Sequence, residues 1–262
     1  MTVFKHEWRQ GFKSWLIWSL SIGALVVLIN LIWPDMTESA QGWSEMFRNL
    51  GMFGDAFGLD QLDLGEFLDF YGLEVNNILG IGAALYAAIT GINSLASEEA
   101  RHTAEFLFSH PVSRLRITLQ KLLAVLTQVT TLHAAVLALS YLSIQAINEA
   151  VDLQLYLLFH IALWLMTVQI ALLCFAVSSL LTQENIGLGI GAALLLYFFN
   201  LFANISEQLE MLKYLTPFAY ADPTAVLVEG TLDLAVFLPQ LAVCIGLAAA
   251  GLAIYSKRDL RA

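Results

Sequence analysis

Six apolar stretches divide the chain, and each is about as long as a membrane is thick. A helix needs about 20 apolar residues to cross a bilayer. The stretches that meet this length are residues 14–33, 75–96, 122–144, 153–181, 186–205 and 234–255. This pattern predicts an all-α integral membrane protein with six transmembrane helices, forming a single transmembrane domain over residues 1–262.

The longer polar segments between these stretches differ in character. Residues 35–72 begin after Pro34, which we expect to close the first helix, and carry an apolar stripe that includes Trp43 and Phe57. Such a stripe is typical of an element lying in the membrane interface or dipping partway into the membrane. Residues 206–233 contain two prolines within an apolar run and predict a broken or re-entrant helix pair.

Small residues recur along three of the predicted helices and indicate close helix packing. The second helix carries Gly80, Ala84, Ala88 and Gly91 along one flank. The fifth opens with Gly187 and Gly191, a GxxxG pair, and the sixth has Ala242, Gly246 and Ala250 at every fourth position. We expect these flanks to lie against neighbouring helices.

The basic residues give the chain an orientation. Of the 12 Lys and Arg, only Arg48 and Lys213 fall in residues 35–72 and 206–233, where most of the 22 acids lie. Cytoplasmic segments of membrane proteins are enriched in Lys and Arg. Both termini and residues 97–121 are therefore predicted to be cytoplasmic, which makes residues 35–72 and 206–233 the outer segments.

Composition supports a membrane protein and narrows its chemistry. The chain is 58% hydrophobic and only 13% charged, and its mean hydropathy of +0.71 lies outside the range of soluble domains. The first apolar run is too long for a cleaved signal peptide, so we interpret it as a span. Cys174 and Cys244 both lie in apolar stretches, which predicts neither a disulfide framework nor a metal site.

A few polar residues interrupt the predicted helices, but no acid, Lys or Arg lies at the middle of one. This weakens a proton-coupled or ion-coupled mechanism, which usually places ionisable groups inside the membrane. The polar residues are either the wall of a substrate path or partners in hydrogen bonds between helices. The candidate path residues are Gln128, Thr131, His133, His160, Gln169 and Asn200.

Residues 97–121 form the long charged interruption on the predicted cytoplasmic side. Burying their charges at the bilayer centre would cost roughly 2.5–3.5 kcal/mol each, so the segment must lie outside the hydrocarbon. Glu98 and Glu99 suit the first turn of a short amphipathic helix, which Pro111 ends, and Ser113 can open the next helix. Three basic residues are expected at the lipid headgroups: Arg114, Arg116 and Lys121. The segment is either a surface that another protein grips or an ordinary interfacial loop.

The chain lacks the phosphate-binding loop G-x-x-x-x-G-K-[ST], and no Gly is followed by Lys. A protein of this sequence cannot hydrolyse ATP by that route. If ATP drives it, a second polypeptide must supply the ATPase site.

Residues 98–114 resemble a segment of the permease subunit of type-2 ABC exporters, which reads roughly E-x-x-x-G-T-x-E-x-L-x-x-x-P-V-S-R. The matching positions are Glu98, Thr103, Glu105, Leu107, Pro111, Val112, Ser113 and Arg114. The sequence departs from the pattern at His102, where the family commonly has Gly. The runs LTPF at 215–218 and YSKRDL at 255–260 are also similar to that family.

The resemblance implies that residues 97–111 form a coupling helix that docks into a separate ATPase. The residues it assigns to coupling are Glu98, Glu99, Arg101, His102, Thr103, Glu105, Phe108, Pro111 and Arg114. It also implies an amphipathic segment at Lys5–Lys13 along the inner interface. The working unit would contain two ATPase subunits and a second permease, either another copy or a homologue. ATP and Mg would bind to the ATPase, and this chain would hold no cofactor, metal or catalytic residue.

The function expected from the resemblance is export by alternating access across the plasma membrane of a bacterium. The aromatic outer segment and the lack of deep charges favour an amphipathic or hydrophobic substrate, such as a peptide or a drug. Membrane lipid is an expected partner, and nucleic acid is not. The alternatives are a secondary transporter, for which no inverted repeat is visible, and a membrane-embedded enzyme or scaffold.

Overall fold

The structure, a computed structural model, describes residues 2–48, 54, 56–59, 61–100 and 113–257. Its α-helices are α1 (Thr2–Arg48), α2 (Phe67–Val75), α3 (Ile81–Ala100), α4 (Arg114–Ala146), α5 (Leu153–Ser178), α6 (Ile186–Ile205) and α7 (Leu234–Lys257). A π-helical turn, Asn76–Gly80, joins α2 to α3. Within the described residues, six helices are long and apolar enough to span a membrane, α2 and α3 counting as one. The predicted all-α membrane fold is confirmed.

Successive spans run in opposite directions, so the helix ends gather at two ends of the bundle. At one end, the Lys121 ammonium near the start of α4 contacts Glu7 of α1, and Tyr255 near the end of α7 reaches Leu95 of α3. We call this the terminal end, because both chain termini approach it. At the other end, which we call the opposite end, the Asn30 amide of α1 donates a hydrogen bond to Ser143 of α4.

Helix α1 is longer than predicted at both ends. It continues through Pro34, so the expected helix end there is wrong. The Lys5–Lys13 segment is part of α1 and packs along α4, with Gly11 against Gln128, so it is continuous with the first span. Contacts with α4 stabilise the added residues at the start of the helix, and a membrane helix tolerates proline when its freed backbone groups find other partners.

Helix α3 occupies the centre of the bundle between α5 and α6. Its small residues are buried as predicted, with Ala84 only 1% and Ala88 0% exposed. A Cβ atom on Gly91 would lie 2.8 Å from the carbonyl oxygen of Ala171 in α5. The absence of a side chain at Gly91 therefore allows the two backbones to touch.

Most of the small residues predicted to pack on α6 and α7 are exposed. Gly191 of the GxxxG pair has no neighbouring atom within 4 Å of an added Cβ, whereas an added Cβ on Gly189 would lie 3.0 Å from the Ala88 carbonyl oxygen. Ala242, Gly246 and Ala250 are exposed as well. The close approaches of α6 and α7 to described residues are made by Gly189 and Gly251 instead.

The second outer segment folds into short helical turns rather than a coil. These are the 3-10 helices Glu207–Leu215 and Ala219–Ala221 and the π-helix Thr224–Val228. Pro217 and Pro223 lie at the breaks, so the predicted broken helix is confirmed. In the first outer segment, Phe57 packs on a small cluster of Leu59, Leu62 and Leu64, while the side chain of Trp43 lies outside the described residues.

Candidate functional site

The predicted coupling segment connects two helices at the terminal end. Helix α3 ends at Ala100 and α4 begins at Arg114, with Ser113 as the residue before the helix, as predicted. Arg114 is partly buried. The other predicted coupling residues lie outside the described part of the chain, in whole or in their side chains: Glu98, Glu99, Arg101, His102, Thr103, Glu105, Phe108 and Pro111. Their roles stay predictions.

The start of α4 is tied to α1 by a buried ion pair. The Lys121 ammonium donates to Glu7 Oε1 at 2.7 Å, and the lysine side chain is only 1% exposed. Gln120, the residue before Lys121, also contacts α1: its Oε1 accepts from the Phe4 backbone amide at 3.3 Å. The expectation that Lys121 lies at the headgroups is wrong, since α1 continues past the apolar run and covers this lysine with a carboxylate.

The end of α3 is held by three other helices. The backbone amides of Leu95 and Ala96 both donate to Ser178 Oγ at the end of α5, at 2.9 and 3.2 Å. The amide of Asn185, which caps α6, donates to the Asn93 side chain at 3.1 Å. The Tyr255 hydroxyl of α7 donates to the Leu95 carbonyl oxygen at 3.5 Å.

These polar contacts link the helices of the terminal end in two groups, which are joined by apolar contacts of Leu122 and Leu126 in α4 with α5 and α7. One group is α1 with α4, and the other is α3 with α5, α6 and α7. The segment 101–113 leaves the second group and enters the first. A force applied to that segment therefore acts at the junction between two packed groups.

A cleft of about 290 Å³ opens between the groups at the terminal end. It lies beside the ion pair and is bordered by α1, α3, α4 and the turn before α6. Its lining residues are Glu7, Gln10, Gly11, Ser14, Ile89, Thr90, Asn93, Ser94, Ser97, Ala124, Val125, Gln128 and Glu184. Most of these residues are polar, and Ile89, Ala124 and Val125 form an apolar part.

Among the predicted path residues, only Gln128 lines this cleft. Its side-chain oxygen accepts from the Tyr86 hydroxyl at 3.1 Å. Thr131 donates to the carbonyl oxygen of Thr127 in its own helix at 2.7 Å. His133 is buried, and its Nε2 lies 3.0 Å from Thr167 Oγ1 of α5.

The remaining path residues lie elsewhere in the bundle. His160 Nε2 is 2.7 Å from the Tyr71 hydroxyl near the opposite end, and Asn200 donates to Asp222 at 3.0 Å, also there. Gln169 is fully buried, and neither amide atom has a hydrogen-bond partner within the described part of the chain. The structure does not bring the six residues together along one surface.

At the opposite end, a buried hydrogen-bond network joins α1, α2, α4 and α5. The Tyr71 hydroxyl lies 2.5 Å from Ser140 Oγ and 2.7 Å from His160 Nε2. The Tyr156 hydroxyl donates to the same Ser140 oxygen at 3.2 Å. Tyr71, Ser140 and Tyr156 are all 0% exposed. Sequence reasoning found His160 but not its partner tyrosine, which lies in a segment predicted to be outside the membrane.

A buried carboxylate joins the two outer segments to α6. Asp222 accepts from the amides of Asn200 and Asn204 at 3.0 and 3.2 Å, and from the Thr224 hydroxyl at 2.8 Å. Asn204 also donates to the Ala56 carbonyl oxygen of the first outer segment at 3.3 Å. The pocket beside these groups is only about 10 Å³, enough for about one water molecule. Asp222 is itself buried, at 7% exposed.

The sequence carries a signal for the ion pair and for the buried carboxylate. Glu7 is an acid within a basic N-terminal segment, and Asp222 is an acid inside an apolar run, directly before Pro223. An isolated charge in such surroundings usually has a partner. Within the described residues, no group of three or more His, Cys, Asp or Glu is placed to hold a metal ion.

Comparison with known families gives one match over almost the whole chain. The family described as ABC-2 family transporter protein matches residues 1–260, which include all six spans. The comparison with curated proteins finds no match.

Proposed function

Because this chain belongs to the ABC-2 family of transporters, as a membrane permease component, we propose that it exports an amphipathic or hydrophobic substrate. A peptide or a drug-like molecule is the substrate class we favour. Export would run from the cytoplasm outward across the plasma membrane of a bacterium. The protein is a multi-pass membrane protein, and its family is a transport subunit rather than an enzyme.

Permeases of this family generally work with an ABC ATPase. In our proposal, two ATPase subunits bind ATP and Mg, and each docks on one coupling segment, residues 97–111. The charge distribution supports this, since the basic residues that favour a cytoplasmic location gather at the terminal end. Closure of the ATPase pair would displace the docked segments.

The observation that carries the proposal is the division of the terminal end into two helix groups. The segment leaves α3, which hydrogen bonds tie to α5, α6 and α7. It enters α4, which the Glu7–Lys121 ion pair ties to α1. A rigid displacement of the segment would thus shift one group against the other, which is what alternating access requires.

A second permease completes the proposed unit. Gly191 and Gly246 lie on exposed faces of α6 and α7, and none of the described residues covers them. Small residues on a membrane helix allow close approach of another helix. These faces support an assembly in which the substrate passes between two permeases.

The direct test is purification of the tagged chain from its native membrane. We expect an ABC ATPase to co-purify and its ATP hydrolysis to be faster with the permease than alone. Charge reversal at Glu98, Glu99 or Glu105 should uncouple hydrolysis from transport without preventing membrane insertion. Glu229→Lys, an exposed acid at the opposite end, is the matched control and should leave coupling intact.

Two outcomes would overturn the proposal. One is a purified chain that transports at full rate with no companion ATPase. The other is wild-type transport and ATPase stimulation in all three charge reversals.

A further inference from the structure

The 3-10 helix Glu207–Leu215 turns back into the membrane along α6. Helix α6 has 20 residues, which is about the length needed to cross the hydrocarbon, so Ile205 lies near the outer boundary. The Thr216 hydroxyl donates to the Leu196 carbonyl oxygen at 2.7 Å. Leu196 comes more than two helical turns before Ile205, which places Thr216 on the order of 10 Å inside that boundary.

Helix α7 gives the same depth independently. It begins at Leu234, and Gln240 lies six residues further along. The Gln240 side-chain amide donates to the backbone carbonyl oxygens of Lys213 and Thr216 at 2.8 and 3.1 Å. Six residues of helix correspond to about 9 Å. Two spans therefore place the end of the 3-10 helix well inside the outer half of the membrane.

This helix carries an ion pair that the described part of the chain does not cover. The Lys213 ammonium contacts the Glu210 carboxylate, and the two side chains are 30% and 59% exposed. Contact of charged side chains with lipid tails is strongly unfavourable, and at membrane depth they usually face a bundle interior or a water-filled cavity. The exposed part of Glu207–Leu215 is therefore unsuited to contact with lipid.

Apolar side chains of the same helix are exposed beside the ion pair. Met211 is 79% exposed, Leu215 60% and Tyr214 51%. Together with the charged pair they form a surface of mixed character. Such a surface can border water and can also contact the apolar part of a passing molecule.

We propose that the exposed part of Glu207–Leu215 lines a water-filled opening that enters the membrane from the outer side. The proposal rests on the proposed function and deepens it, because the opening is then the outer end of the substrate path. Its wall suits an amphipathic substrate. The ion pair of Glu210 and Lys213 stays hydrated, while Met211, Tyr214 and Leu215 contact the apolar part of the substrate.

The test is the rate at which a charged, membrane-impermeant methanethiosulfonate reagent modifies single engineered cysteines in right-side-out vesicles of the native membrane. The probes are Met211→Cys and Leu215→Cys, at exposed positions. The lipid-facing controls are Leu142→Cys of α4 and Ile161→Cys of α5, where the native side chains are 64% and 48% exposed. Leu142 lies four residues before the end of α4 and Ile161 eight residues after the start of α5. These controls are therefore about 6 and 12 Å from the outer helix ends, close to the depths of the probes.

The unsubstituted chain supplies the blank, since its two cysteines are buried. The thiolate is the reactive form of cysteine and is disfavoured in apolar surroundings, so both probes should be modified at least about tenfold faster than the controls. Glu229→Cys, at an exposed position between the spans, should give the fastest rate. Probe rates no higher than those of the controls would overturn the proposal, as would modification of the probes in inverted vesicles only.

Spin labels at the same four positions give a measurement that does not depend on thiol reactivity. In the purified complex, a water-soluble nickel reagent should relax the labels at Met211 and Leu215 more strongly than molecular oxygen does. The order should reverse at Leu142 and Ile161, because oxygen concentrates in lipid. The lipid pattern at all four positions would overturn the proposal. Failure of this test leaves the proposed ATPase coupling standing, and failure of ATPase co-purification leaves the vesicle result standing.

Discussion

The two ends of this bundle join the same helices in different ways. At the opposite end, α1, α2, α4 and α5 meet through hydrogen bonds among fully buried groups such as Tyr71 and Ser140. At the terminal end, α1 and α4 meet through an ion pair beside an open, polar cleft of about 290 Å³. Glu7 is 18% exposed and borders the cleft, whereas Tyr71 and Ser140 are fully buried. Among the described residues, the buried network lies where the chain is predicted to face outward, and the polar cleft lies where it is predicted to face the cytoplasm.

The largest effect is expected at the Glu7–Lys121 ion pair of the terminal end. Glu7→Ala removes the carboxylate that faces Lys121, whose side chain is 1% exposed. Loss of one partner from a buried pair destabilises proteins by about 3–5 kcal/mol. Lys121→Met should be milder, since Glu7 is 18% exposed and can be hydrated from the cleft. Thermal unfolding in detergent would measure both variants.

This asymmetry is the informative part of the experiment. If Lys121→Met destabilises the chain as much as Glu7→Ala, then the lysine is not the more deeply buried residue of the pair. The terminal end would then resemble the opposite end more closely than the structure indicates.

A pair of matched tyrosines compares the two ends directly. Tyr71→Phe leaves two buried partners, Ser140 and His160, without its hydroxyl, and should cost about 2–3 kcal/mol. Tyr86→Phe breaks one hydrogen bond, to Gln128, instead of two, and should cost at most about 1 kcal/mol. Equal shifts in unfolding temperature would remove the proposed difference between the ends.

A smaller and more local effect is expected at Asp222. Asp222→Asn keeps the size of the side chain but places an amide group among the donors of Asn200, Asn204 and Thr224. Loss of one or two of these bonds should cost about 1–2 kcal/mol. Hydrogen exchange should increase in residues 219–228 and stay unchanged around Lys121. Faster exchange at both ends would contradict this, because it would show that the Asp222 carboxylate also stabilises the terminal end.

Features that depend on local composition were predictable from the sequence. The apolar lengths predicted the six spans, and the small residues of α3 predicted its close packing, because a helix with Ala88 and Gly91 on one flank can approach others closely. The two prolines of the second outer segment gave its broken helices. The family resemblance of residues 98–114 agreed with the family match over residues 1–260.

Contacts that depend on which helix packs against which were not predictable from the sequence. Gly187 and Gly191 form a packing motif, but a motif does not say whether its partner is in the same chain. Lys121 looked like a headgroup anchor, and only the extension of α1 beyond the apolar run places Glu7 over it. The path residues share a polar character, yet His160 and Gln128 lie at different depths because they bond to different helices.

The central claim is that the coupling segment moves two helix groups against each other, and electron-spin distance measurements test it most directly. Spin labels at Arg9 of α1 and Leu180 after α5 span the two groups, while labels at Arg9 and Leu115 of α4 lie within one group; all three positions are exposed. Labelled permease would be diluted with unlabelled copies and assembled with its ATPase. The account predicts that trapping ATP changes the first distance and leaves the second unchanged. An unchanged first distance, or an equal change in both, would contradict it.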